Sequence, residues 1–87
     1  MPRSFLHMEN QEVAAALRVL FERGEVELIE EVFIAEADVF LCRWRGKRVN
    51  VKFDFAYGPE LSFLEPTPKQ EREELETLIA SVEVPAD

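Results

Sequence analysis

The stretch LCRWRGKRVNVKFDF, Leu41 to Phe55, decides the fold. Apolar side chains recur at every second position on both sides of Gly46, the period of a strand with one buried face. A glycine followed by a polar residue suits a two-residue type II′ turn at Gly46-Lys47. A turn sets the register. Arg45 then faces Arg48, Trp44 faces Val49, Arg43 faces Asn50, Cys42 faces Val51, Leu41 faces Lys52 and Phe40 faces Phe53. Phe40, Cys42, Trp44, Val49, Val51, Phe53 and Phe55 all fall on one face. Turn chemistry and hydrophobic pattern agree, so the stretch reads as a β-hairpin.

Before the hairpin, Glu25 to Ile34 also alternates. Val26, Leu28, Val32 and Ile34 share the parity assigned to the core, while Glu25, Glu27, Ile29, Glu31 and Phe33 share the other. Glu30 breaks the inward set, and either a bulge or an edge position accommodates it. Further back, Val13, Ala16, Leu17, Leu20 and Phe21 recur at three- and four-residue steps. This predicts a helix over Gln11 to Arg23, with Asn10 as N-cap and Gly24 as a left-handed C-cap.

After the hairpin, AYGPE is a turn, and Leu61 to Leu64 is left open between a short edge strand and a loop. TPKQEREELETLIASV opens a second helix, with Thr67 as N-cap, Pro68 in the first turn and Gln70 closing a capping box. Leu75, Leu78, Ile79 and Val82 form its apolar face. The fold class is therefore α+β: a two-layer sandwich, α-β-β-β-(β)-α, with an antiparallel meander sheet covered on one face by two helices. A single domain is expected over residues 9–83, with a flexible N-terminal segment at 1–8 and a C-terminal tail at 84–87. His7-Met8 is also what a common cloning junction encodes, so the residues up to His7 are kept out of the fold.

A chain of 87 residues, 47% apolar and with seven Phe, can build one core. One cysteine rules out an intrachain disulfide, and one cysteine with one histidine rules out a structural zinc site within the chain. No cofactor or metal is expected. No apolar run approaches a membrane span, and MPRSFLHM lacks the apolar core of a secretory signal, so the expected location is cytoplasmic. A net charge of −8 opposes general binding to nucleic acid or anionic membranes. No Ser, Asp and His7 grouping has the spacing of a nucleophile and its base, and the glycines stand singly at turns. EREELE reads as a solvated helix face. Cys42 falls on the core parity as a small buried hydrophobe. A non-enzymatic protein is expected.

The same stretch that decides the fold is also basic. Arg43, Arg45, Lys47, Arg48 and Lys52 are five of the ten bases of a chain with 18 acids. The ordinary reading is cross-strand compensation by Glu25, Glu27 and Glu31, worth little per pair. It leaves Arg45 opposite Arg48 with Lys47 between them, an unfavourable grouping that a partner would relieve. Phe33, Val39 and Leu41 share the outward parity and add apolar bulk to the sheet's open face. The candidate partner-binding set is Phe33, Val39, Leu41, Arg43, Arg45, Lys47, Arg48 and Lys52.

The order α-β-β-β-α resembles that of double-stranded RNA-binding domains. Those domains place lysines at the start of their second helix; TPKQEREE is acidic there apart from Lys69 and Arg72. The resemblance implies a fold and argues against that function. The layout and acidity also resemble small bacterial chaperones and immunity proteins that grip a basic partner. The expected function is a small acidic protein-binding domain acting through the open sheet face. Its partner is a second copy, as a homodimer, or a basic protein such as a toxin or effector, held as an immunity protein, antitoxin or inhibitor would hold it. The alternative is a nucleic-acid-binding module using the basic hairpin Arg43 to Lys52, with an aromatic stacking on bases.

Overall fold

The computed structural model describes residues 4–83. A short 3-10 turn, Phe5–His7, leads into α1 (Asn10–Arg23), followed by β1 (Glu27–Ile34), β2 (Ala37–Trp44), β3 (Lys47–Asp54), β4 (Gly58–Phe63) and α2 (Lys69–Ser81). The four strands form one antiparallel sheet in the order β1-β2-β3-β4, so the open question at Leu61 to Leu64 is answered by a full strand that begins at Gly58.

Both helices lie on one face. Val13, Ala16, Leu17 and Leu20 of α1 and Leu75 and Ile79 of α2 share a single core with Phe40, Cys42, Trp44, Val49, Val51, Phe53 and Leu61 of the sheet. Each fully buried Leu or Ile in that core stabilises the fold by about 1.5–3 kcal/mol. Phe40 sits at the centre of an aromatic file, tilted against Phe21 at 5.8 Å and edge-on to Phe53 at 4.8 Å. Phe55 keeps the core parity but lies past the end of β3, where no helix covers it, and it is exposed. Phe5 and Met8 are buried in the same core. The segment set aside as N-terminal to the domain thus supplies two of its core side chains. The tail expected at 84–87 lies outside the described residues.

Helix ends differ from expectation by one position. Glu9, not Asn10, is the N-cap of α1, and its N–H donates to Glu12 Oε1 at 3.0 Å. Asn10 instead donates Nδ2 to the Asp54 carbonyl at 2.8 Å, tying the start of α1 to the end of β3. Pro68 is the N-cap of α2, with its carbonyl accepting from Glu71 and Arg72. Thr67 is one residue too early; its hydroxyl donates to the Glu65 carbonyl at 2.9 Å. Gly24 ends α1 in the left-handed region, φ 76°, as its spacing implied.

The hairpin turn lies one residue earlier than Gly46-Lys47. Trp44 pairs with Lys47, Arg43 with Arg48, Cys42 with Val49, and Phe40 with Val51. Arg45 and Gly46 are the two central residues, with φ 52° and 78°. Positive φ at both is a type I′ turn, whose twist matches that of the strands it joins. The slip is two residues, so every side chain keeps its face while each changes its partner. Placing arginine in the left-handed region costs about 1–2 kcal/mol. Contacts around the turn offset that cost: the Arg45 guanidinium lies 4.3 Å from the Trp44 ring and bonds Glu74 of α2, while Lys47 bonds Glu71.

This geometry reverses the usual strand preferences at position 45. Arg45→Gly should be at least as stable as the wild type within about 0.5 kcal/mol, whereas Arg45→Val should be about 1–2 kcal/mol less stable than Arg45→Gly in urea denaturation. The opposite order would place residue 45 in a strand and contradict the turn.

Candidate functional site

The sheet face away from the helices is built in four rows by the strand registers. The first row is Glu27, Arg43 and Arg48. The second is Glu30, Leu41, Asn50 and Ser62, and the third is Val32, Val39, Lys52 and Glu60. The fourth is Ile34, Ala37, Asp54 and Gly58. The β1–β2 half is thus largely apolar and the β3–β4 half polar. Val32, Val39 and Leu41 are only half-buried and Ile34 is 43% exposed, and none of the four belongs to the core cluster under the helices; Ala37 is fully buried.

The composition of the β1 half follows from a bulge. Leu28 pairs with Cys42 and Glu30 with Leu41, so Ile29 is an extra residue with no partner in the ladder. An inserted residue switches the face of everything after it. Leu28 therefore points toward the helices, but Val32 and Ile34 point away from them. Phe33, expected on the open face, stands opposite Asp38 on the helix-side face instead. Of the eight candidate residues, Val39, Leu41, Arg43, Arg48 and Lys52 share the open face. Phe33 does not, and neither do Arg45 and Lys47, which turn to α2. Val32, Ile34 and Asn50 join the face without having been anticipated. Glu30 carried the signal: its misfit with the inward pattern marked the bulge.

Four of the five hairpin bases have acids within the chain. Arg43 bonds Glu27 at 3.0 Å, Arg45 bonds Glu74, Lys47 bonds Glu71, and Lys52 lies 3.8 Å from Asp54. The acids for Arg45 and Lys47 come from α2, not from β1. Such exposed pairs contribute about 0–1 kcal/mol each. The unfavourable facing pair is Arg43 with Arg48, not Arg45 with Arg48. Arg48 has no acid partner among the described residues; its Nε is closed from solvent without an acceptor, and Asn50 Oδ1 is closed from solvent without a donor. Burial pushes the Cys42 thiol up to about 12, opposed by the charge of Arg48, so the thiol stays protonated at neutral pH. No described helix is long and apolar enough to cross a membrane. No family model, curated protein or solved structure matches the chain.

Asp54 closes the lower corner of the face. Its Oδ1 accepts from the N–H groups of Ala56 at 2.8 Å and Tyr57 at 2.9 Å, an Asx-type turn. The Tyr57 and Ala56 N–H groups hold its carboxyl below the ordinary 3.8; Lys52 adds to this and burial opposes it. A lowered carboxyl stabilises the fold fully above its unfolded pKa and loses that contribution as pH falls through the folded value. The gap in Tm between wild type and Asp54→Ala should therefore be constant from about pH 5 to 8 and close below about pH 4. A gap that persists unchanged into strong acid would contradict the turn bonds.

Proposed function

We propose that this chain is a small non-enzymatic protein-binding domain that pairs with a second copy of itself through the open face of the sheet. The observation that carries this reading is the asymmetry of the sheet. Two helices cover one side, while the other presents Val32, Ile34, Val39 and Leu41 on adjacent strands beside Arg48, which has no acid partner among the described residues. Apolar groups grouped on a face beside polar ones are what an interface requires.

The face is also self-complementary. Two such sheets can stack about 10 Å apart about a two-fold axis lying across the strands. That axis lays the apolar half of one copy on the apolar half of the other and reverses the order of the rows. Leu41 then meets Val39 of the partner subunit, and Arg48 comes over Asp54 of the partner subunit. Each contact occurs twice. A contact between the hairpin of one copy and the second helix of another has little to form from, because Arg45 and Lys47 already bond Glu74 and Glu71 within the chain. In-chain acids at four of the five bases likewise leave a nucleic-acid reading of the hairpin little net positive charge to work with.

Light scattering coupled to size exclusion should give a dimer for the wild type and monomers for Leu41→Asp and Arg48→Glu. Each substitution should weaken association by at least about 2 kcal/mol, roughly 30-fold in Kd. Circular dichroism should show all three equally folded, since neither side chain belongs to the core. A wild type that stays monomeric at millimolar concentration would overturn the reading.

A further inference from the structure

The bulge that takes Phe33 off the open face creates a second feature. On the helix side, one cross-strand row reads Glu31, Phe40 and Val51, and the next reads Phe33, Asp38 and Phe53. In the first row a cation is already present. Arg18 of α1 bonds Glu31 at 3.0 Å with its guanidinium 5.4 Å from the Phe40 ring centroid. The second row again sets a carboxylate beside phenylalanine, here with Asp38 between Phe33 and Phe53. Asp38 has no ion pair among the described residues; of the α1 residues that line this end, Asn10, Gln11, Ala14 and Arg18, only Arg18 is charged, and its guanidinium is taken by Glu31. Phe33 is 70% exposed and Phe55 63%. The two flank an open groove of about 390 Å³ in which Phe40 and Phe53 also take part. Phe55 is held in place by its N–H bond to the Glu36 carbonyl at 3.1 Å.

We infer that this groove takes the guanidinium of an arginine from a basic partner segment. A planar cation can stack on the phenylalanine rings while its N–H groups bond Asp38, as Arg18 does with Phe40 and Glu31 one row away. Charge complementarity selects the occupant. Arg18 and Glu31 cancel, leaving the groove with the single negative charge of Asp38, on a chain of net charge −8 that attracts basic segments from a distance. The rings disfavour a fully hydrated ammonium relative to the more weakly hydrated guanidinium. The groove and the proposed dimer face lie on opposite sides of the sheet, so each site stands or falls alone.

The test is an NMR titration with a blocked five-residue peptide carrying one central arginine among alanines. A citrulline peptide of the same length and an oligothymidylate serve as comparators. The arginine peptide should shift Phe33, Asp38 and Phe55 saturably. The citrulline peptide and the Asp38→Asn variant should each bind at least tenfold more weakly, and Phe33→Ala should bind several-fold more weakly. Leu41→Asp should bind as the wild type does, which separates this site from the dimer face. Phe33 is exposed and Asp38 is half-buried outside the core, so the variants stay folded, and their spectra report it directly. Citrulline or Asp38→Asn binding within tenfold of the reference would overturn the proposal. So would oligothymidylate shifting these resonances in place of the peptide, or shifts that grow with protein concentration alone, which would assign the groove to a second copy.

Discussion

Ile29 is the one residue of β1 without a partner in the β1–β2 ladder, and the side chains beyond it are turned over relative to those before it. Because strand side chains alternate strictly, one unpaired residue is enough to exchange the two faces for the rest of the strand. Val26 and Leu28 meet the helices, while Val32 and Ile34 face away beside Val39 and Leu41. Glu31 and Phe33 move in the opposite sense. One places a carboxylate where Arg18 can reach it, and the other places an aromatic ring beside Asp38. The composition of both candidate surfaces follows from this exchange. The bulge also lies on an edge strand, where bulges and charged residues blunt the tendency to pair with other sheets.

The basic hairpin has a role inside the molecule. Its turn projects Arg45 and Lys47 toward the acidic first half of α2, where Glu74 and Glu71 receive them, and Arg72 returns across the sheet to lie 5.9 Å from the Phe63 ring centroid. These contacts orient α2 across β3 and β4 without adding much stability, which comes from Leu75, Ile79 and Val82 in the core. Of the five bases gathered in this acidic chain, two thus answer its own second helix, and Arg43 and Lys52 answer acids of the sheet. Arg48 is the one of the five without an acid partner among the described residues, and it faces the uncovered side.

The α+β architecture, both helices and the core residues of the hairpin were legible because they rest on periodicity, which a two-residue slip leaves intact. Phe40, Cys42, Trp44, Val49, Val51 and Phe53 are buried under either turn. The partners across the ladder were not legible, since they depended on whether Arg45 would adopt positive φ. That choice was decided by Trp44, Glu74 and Glu71, and the two acids lie more than twenty residues away in sequence. Phe33 was misplaced for a related reason: Glu30 announced an irregularity, but the pattern alone did not say that the faces would exchange after it. Phe5 and Met8 carry no periodicity of their own, and their burial depends on a cleft formed by elements that follow them.

The face assignment of β1 is the central claim, and it can be measured without any partner. Nuclear Overhauser effects from the Phe33 ring report which side of the sheet it occupies. Contacts to Phe55 and to Ala14 or Gln11 of α1, with none to Val39 or Leu41, are the result expected of the bulge at Ile29. Contacts from Phe33 to Val39 and Leu41, with Val32 against the helices, would show an unbroken strand and contradict both the bulge and the two surfaces derived from it.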